Sequence, residues 1–266
     1  MVARLALLIL LAALLPACVG QPPGEGCRSC HRPHHAEKGA CVSCHRGNDR
    51  STRLAIAHYR LVPAELSHFT IPGSVRVEEG KRVAERFGCR RCHRLGGKGT
   101  RLAADLDRLA GDDPVRLFEA IRQPVLFMPD FRFDDRRTAD VVNAVMAFAG
   151  AAPAQGTAAV PLVVHFEAVR AKEDNLFVTK CGGCHRLLTA GEGGLGAGTV
   201  APNLSGLFTP FYPTPFKPDE PWTPERLGRW LDNPRSVRPG ALMSPVPLNE
   251  EEKARLVLFF RVNLEN

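Results

Sequence analysis

Eight of the nine cysteines in this 266-residue chain fall in four copies of one short motif. In each copy two residues separate a pair of cysteines, and a histidine directly follows the second cysteine. The four copies are Cys27, Cys30 and His31; Cys41, Cys44 and His45; Cys89, Cys92 and His93; and Cys181, Cys184 and His185. This spacing predicts covalent attachment of c-type haem, because two thiols can add to the two vinyl groups of one porphyrin. The adjacent histidine then becomes the proximal ligand of the iron.

Paired cysteines also occur in three different kinds of site. A zinc ribbon uses two such pairs, and the spacing of the first two motifs would tolerate one. A thioredoxin-like redox centre uses a single pair, and a disulfide framework joins cysteines two by two. Neither zinc nor disulfides require a histidine after the second cysteine, yet all four copies have one. The motifs therefore favour four haems over a zinc ribbon, a redox pair or a disulfide framework.

The N-terminus has the features of an export signal. Arg4 precedes an apolar run from Leu5 to Leu15, which is too short to span a bilayer comfortably. A small residue before Cys18 ends this run as in a bacterial lipobox, in which the cysteine is acylated and becomes the new N-terminus. Residues 1–17 are thus predicted to be a lipoprotein signal peptide, with an ordinary cleaved signal or an uncleaved anchor as alternatives. Because Val19 is not aspartate, we expect a lipid anchor on the periplasmic side, at the outer rather than the inner membrane.

The residues around the third motif predict a series of helices. Residues 78–87 form a short amphipathic pattern that leads into Cys89. Asp113 and Pro114 mark the start of the next helix, as its N-cap and first residue. A closing helix has apolar residues at positions i, i+4 and i+7. These are Val141, Val145 and Phe148.

This order of elements resembles a class I cytochrome c domain. The resemblance implies that Met128, which precedes Pro129 in a loop between helices, is the distal ligand of the iron. Met146 lies inside the closing helix and is expected to fill the core, as methionine commonly does. The family often has Pro-Asn-Leu after the haem motif. Here Ala104-Asp105-Leu106 takes that place, so His93 is expected to be held differently.

The same plan repeats around the fourth motif. Pro202 begins a Pro-Asn-Leu sequence, and in this family the proline carbonyl accepts the N–H of the proximal histidine, which fixes its tautomer. Thr223 and Pro224 predict the start of a helix, and Asn249 that of the final helix. The resemblance implies that Met243 is the distal ligand of this second site.

The first two motifs are too close together for two separate helical domains. Only ten residues separate Cys30 from Cys41, so the two haems must share one small core. This paired segment resembles those of multihaem cytochromes, in which a histidine placed like His34 ligates a neighbouring haem. The resemblance implies bis-histidine iron, and His35 is expected at the surface. The candidate distal ligands are His34 and His58, followed by His68.

The predicted fold is therefore mostly α, with two tandem class I cytochrome c domains preceded by a small, loop-rich dihaem module. Methionine ligation raises the reduction potential of haem iron relative to bis-histidine ligation. We therefore expect a low-potential module followed by two domains of higher potential. The predicted boundaries are 1–17 for the signal peptide, 18–72 for the dihaem module, 73–150 for the first monohaem domain, 151–163 for a linker and 164–266 for the second monohaem domain.

The net charge of +7 does not indicate a nucleic-acid-binding protein. Each ferric c-type haem adds roughly one net negative charge, and loss of the signal peptide removes Arg4. The net charge of the mature holoprotein is therefore about +2. Arginines beside the motifs, such as Arg90 and Arg91, are well placed to contact haem propionates.

The whole layout resembles multihaem cytochrome lipoproteins of metal- and metalloid-respiring bacteria, including some linked to selenite or tellurite reduction. The resemblance implies an electron carrier of an anaerobic respiratory chain. Its partners would be other cytochromes and quinol-linked or terminal reductase complexes, and its lipid anchor would hold it at the membrane. The alternative is a haem subunit of a periplasmic oxidoreductase, such as an oxyanion reductase, with a five-coordinate N-terminal haem. The sequence favours the carrier, because the two His/Met sites offer no open coordination position.

Overall fold

The computed structural model describes residues 25–125, 127–152, 175–213 and 220–262. The protein is rich in helix and has few strands, which confirms the prediction of a mostly α fold and is consistent with a cytochrome c. It divides into two compact units, Met1–Ala64 and Glu65–Asn266. The predicted signal peptide, Cys18 and residues 153–163 of the predicted linker lie outside the described residues. Within the described ranges, no helix is long and apolar enough to cross a membrane.

The first unit consists of short helices joined by loops. Helices α1 (Glu25–Arg28), α2 (Cys41–His45) and α3 (Leu54–Ala57) have at most five residues each, and a 3₁₀ turn spans Ala36–Lys38. Backbone hydrogen bonds tie these segments together. They join Gly26 N to Asp49 O at 3.0 Å, Asn48 N to Ala57 O at 2.9 Å and Val62 N to His45 O at 2.7 Å.

The second unit begins with the elements that surround the third motif. The predicted helix before Cys89 is confirmed, and so are the cap at Asp113 and the first helical position of Pro114. The Asp113 side chain accepts a hydrogen bond from Val115 N at 3.0 Å. The elements are α4 (Val75–Arg86), β1 (Arg94–Leu95), β2 (Lys98–Gly99), α5 (Pro114–Arg122) and α6 (Asp135–Ala151), with 3₁₀ turns at Ala64–Leu66, His68–Thr70, Cys89–Arg91 and Leu106–Arg108.

Helices α4 and α6 form the main helix packing of this unit. They come together at Gly80, where a Cβ atom would lie only 1.8 Å from the Asp140 carbonyl oxygen. An ion pair between Arg76 Nε of α4 and the Asp140 carboxylate of α6, at 2.6 Å, also joins the two helices. Met146 is 1% exposed, which confirms that it fills the core. The buried residues of the two helices include Val77, Val83, Ala84, Val141, Val142 and Val145.

A second set of elements surrounds the fourth motif. The predicted helix start at Thr223 and Pro224 is confirmed, as is the start at Asn249, which forms a reciprocal capping box with Glu252. The apolar core includes Leu176, Phe177, Cys181, Leu187, Leu195, Leu207, Leu227, Leu231, Leu256 and Phe260. The elements are α7 (Leu176–Lys180), β3 (Leu187–Thr189), β4 (Gly193–Leu195), α8 (Pro224–Asp232), α9 (Pro234–Val237) and α10 (Glu250–Phe259).

Candidate haem sites

The motif histidines of the third and fourth sites are oriented by backbone carbonyls. His185 Nδ1 lies 2.7 Å from Pro202 O, as the family resemblance predicts. His93 Nδ1 lies 2.8 Å from Ala104 O, so the expectation that it would be held differently is wrong. The acceptor is a main-chain oxygen, which alanine supplies as well as proline does. In both sites the bonded Nδ1 leaves Nε2 available as a metal ligand.

Burial lowers the pKa of His93, while its hydrogen bond to Ala104 O raises it to a smaller extent. The net effect favours neutral imidazole, which is the form that coordinates a metal. The local structure thus favours the neutral form of His93 in the orientation that Ala104 O sets.

A two-stranded hairpin follows each of these motifs and packs against the motif histidine. Strands β1 and β2 pair antiparallel, and so do β3 and β4. At Gly99 a Cβ atom would lie 2.1 Å from His93 O, and at Gly196 it would lie 2.3 Å from His185 O. Both glycines have positive φ, 119° and 75°, a conformation that side chains disfavour. Neither glycine is a predicted site residue, and because several glycines follow each motif, the sequence alone does not single these two out.

A buried carboxylate holds the turn of the first hairpin. The Asp107 side chain accepts hydrogen bonds from Gly96 N at 2.6 Å and from Gly97 N at 2.8 Å. Arg94 Nε lies 3.8 Å from the same carboxylate. Asp107 follows the carbonyl that orients His93 by three residues, so one short segment fixes both the hairpin and the histidine.

The two predicted methionine ligands lie in half-buried loops. Met243 packs against the core cluster that contains Cys181, and its Sδ atom accepts a hydrogen bond from Trp230 Nε1 at 3.0 Å. Met128 N donates a hydrogen bond to Val125 O at 3.2 Å within a turn. Their assignment as distal ligands stays a prediction.

The motif cysteines are all free thiols. Burial raises the pKa of Cys89 to about 11 and, with a smaller contribution from Cys184, that of Cys181 to about 11. Among the described residues, no three His, Cys, Asp or Glu side chains come together as a set of metal ligands.

The comparisons with known proteins bear on the third motif. Residues 75–148 match the family model of cytochrome C oxidase, cbb3-type, subunit III. The match supports a c-type cytochrome. Such a domain implies covalently bound haem with iron, haem-based electron transfer and protein redox partners. The matched segment includes both His93 and Met128. Neither the comparison with curated proteins nor that with solved structures gives a significant match.

The first unit of the protein brings its two motifs together. The thiols of Cys27 and Cys41, one from each motif, are close enough to interact, and the pKa of Cys27 is raised mainly by burial and then by Cys41. His45 Nδ1 lies 3.0 Å from Val62 O, so this motif histidine is oriented in the same way as His93 and His185.

Three pairs of histidine rings lie close together among the described residues of this unit. The ring centroids of His31 and His58 are 5.9 Å apart, those of His34 and His45 are 5.5 Å apart, and those of His34 and His35 are 5.4 Å apart. The first two pairs each join one motif histidine to one predicted distal ligand. Metal–imidazole bonds of about 2.0–2.1 Å would place two rings on opposite faces of one ion with centroids roughly 6.3 Å apart. The observed separations are shorter, and the assignment of His34 and His58 as distal ligands stays a prediction.

The other two histidines among the described residues have different surroundings. His35 is 54% exposed at its side chain, and its Nδ1 lies 3.4 Å from Glu37, which confirms its expected surface position. His68 belongs to the second unit, where its Nδ1 lies 3.5 Å from Ser74 Oγ. Its assignment as a third candidate ligand stays a prediction.

Proposed function

We propose that this protein is a tetrahaem c-type cytochrome lipoprotein that carries electrons between membrane or periplasmic redox partners of an anaerobic respiratory chain. Each bound haem would supply an iron that cycles between Fe(III) and Fe(II), taking up and releasing one electron. The protein would hold the haems through its eight motif cysteines. It would use lipidated Cys18 to stay at the periplasmic side of the cell envelope, where the outer membrane is favoured.

The repeated construction around His93 and His185 carries this proposal. In both places the motif follows a helix, a backbone carbonyl orients the histidine, and a hairpin glycine packs under the histidine carbonyl. A helix with a capped proline start comes later in each segment. Because residues 75–148 match a cytochrome c family, the parallel construction extends the assignment to the fourth motif. We therefore propose two tandem domains with Met128 and Met243 as distal ligands.

The ring pairs of the first unit extend the assignment to the first two motifs. We assign His58 as the distal ligand opposite His31, and His34 as the distal ligand opposite His45. If haem iron were held in this way, both of its faces would be occupied, and these sites would exchange electrons without binding a substrate. This arrangement favours an electron carrier over an oxyanion reductase, which needs an open coordination position.

Histidine variants of the purified holoprotein test this assignment. We expect His34→Ala and His58→Ala each to convert one low-spin haem to a high-spin haem that binds CO after reduction. His35→Ala is the matched control for its neighbour His34 and should leave all haems low-spin, as should His68→Ala. The carrier assignment is wrong if the wild-type protein already contains a high-spin haem that binds CO rapidly, since that result supports an oxidoreductase.

A further inference from the structure

Arg91, inside the third motif, is a buried cation at the contact between two haem segments. Arg91 is the last residue of the 3₁₀ turn Cys89–Arg91, and it is 8% exposed. Arg91 Nη1 donates a hydrogen bond to Asn203 O at 3.0 Å, and Arg91 Cζ lies 5.2 Å from the centroid of the Tyr212 ring. A buried guanidinium exerts a strong local field, because the protein interior screens charge weakly.

The partner carbonyl of Arg91 adjoins the fourth site. Asn203 directly follows Pro202, whose carbonyl accepts the hydrogen bond of His185 Nδ1 at 2.7 Å. Tyr212 Oη donates to the same Asn203 oxygen at 3.0 Å. Hydrogen bonding at the outer nitrogen of a metal-bound imidazole controls how strongly the ligand donates electrons. The charge of Arg91 therefore acts one peptide group away from the bond that tunes His185.

Asn203 and the motif that contains Arg91 also adjoin the third site. Asn203 Nδ2 donates to Phe127 O at 2.8 Å, directly before Met128. Arg91 itself directly precedes Cys92 and lies two residues before His93, so its charge lies inside the motif of the third site as well as beside the neighbouring one.

We propose that Arg91 is a positioning residue shared by two haem sites, and that its charge raises the reduction potentials of the haems at His93 and His185 together. The inference rests on the proposed function, because it requires a haem at each motif. A nearby positive charge disfavours Fe(III) relative to Fe(II), since the oxidised centre carries one more positive charge. Loss of the charge should therefore lower both potentials.

Spectroelectrochemical titration of the full-length holoprotein tests this inference. In Arg91→Gln, which keeps a hydrogen-bond donor and loses the charge, we expect the Fe(III)/Fe(II) ratio of two haems to rise about tenfold at a fixed potential. This change corresponds to a fall of about 59 mV for each one-electron couple. Arg91→Lys retains the charge and should keep both potentials near those of the wild type. Arg91→Met replaces the glutamine variant if that variant does not retain four haems.

Arg90 provides a matched control in the same motif. Its Nε donates to Leu95 O at 2.9 Å and its guanidinium pairs with Glu85, so it does not contact Asn203. Arg90→Gln should shift at most one haem. The inference is overturned if Arg91→Gln shifts one haem or none, or if Arg91→Lys lowers both potentials as the neutral variants do. A wild-type protein without haem at Cys181 would instead refute the proposed function, which the haem count shows separately.

Discussion

The close packing of α4 and α6 at Gly80 determines whether Gly80→Ala raises or lowers the unfolding free energy. In an open helix position, Gly→Ala stabilises a protein by up to roughly 1 kcal/mol, because glycine loses more backbone entropy on folding. At Gly80 the added Cβ would lie 1.8 Å from Asp140 O, 2.4 Å from Asp140 C and 2.9 Å from Ala144 Cβ. To bring the nearest contact to 3.0 Å, the two helix backbones must separate by about 1.2 Å.

Two of these neighbours are backbone atoms, so the strain cannot be relieved by a change of rotamer. Overpacking of a core costs typically 1–3 kcal/mol, and a clash between backbones belongs at or above the upper end of this range. After the helix propensity gain is subtracted, we expect Gly80→Ala to lose about 2–3 kcal/mol of unfolding free energy. For a unit of this size the melting temperature should fall by roughly 4–12 °C.

Thermal unfolding of the holoprotein, followed by circular dichroism and by Soret absorption, measures this effect. Gly228→Ala is the matched control, because Gly228 lies inside α8 and its Cβ would meet nothing within 4 Å. We expect the control variant to melt at the wild-type temperature or a few degrees higher. If Gly80→Ala melts no lower than the wild type, or if both variants lose the same stability, the close crossing of the two helices is refuted.

Three further variants test individual interactions. Trp230→Phe removes the hydrogen-bond donor to Met243 Sδ, so the sulfur should give more electron density to the iron. In a redox titration the reduction potential of that haem should fall, while the near-infrared methionine–iron band remains. An unchanged potential would contradict the contact. Asp107→Asn weakens two charge-assisted hydrogen bonds and should cost about 1.5–3 kcal/mol in chemical denaturation, and a loss below 0.5 kcal/mol (about the noise of a surface change) would argue against it. Burial raises the pKa of Asp140 despite the opposing charge of Arg76, so the folded protein holds that proton more tightly than the unfolded chain. The wild-type unfolding free energy minus that of Asp140→Asn should therefore fall as pH rises from the ordinary carboxyl pKa to the raised one, and a flat or rising difference would contradict the shift.

Local sequence signals predicted the elements that depend on neighbouring residues. Asp113, Thr223 and Asn249 are followed by residues that start helices, and each side chain caps a helix because the required backbone donor is two or three residues away. The carbonyl of Pro202 was likewise predictable from a short sequence pattern. The spacing of the motif residues carries the haem chemistry itself, since both thiols and the histidine act on one porphyrin.

Features that depend on residues distant in the sequence could not be predicted in this way. The bond from Arg91 to Asn203 spans 112 positions, and no local pattern marks either residue. Ala104 orients His93 through its main chain, so its side chain gives no signal. Gly80 looks unfavourable within a helical pattern until the backbone of Asp140 is seen against it. The proximity of the His34 and His45 rings also needed the fold, because several histidines satisfied the same sequence criteria.

Haem stoichiometry tests the central claim most directly. A pyridine haemochrome assay on the purified mature protein, combined with its intact mass, gives the number of haems per chain and the modification at Cys18. We predict four haems on each chain, together with the mass of a diacylglyceryl-type group on the N-terminal cysteine. Fewer than four haems, accompanied by one or two zinc ions at the first two motifs, would contradict the tetrahaem cytochrome.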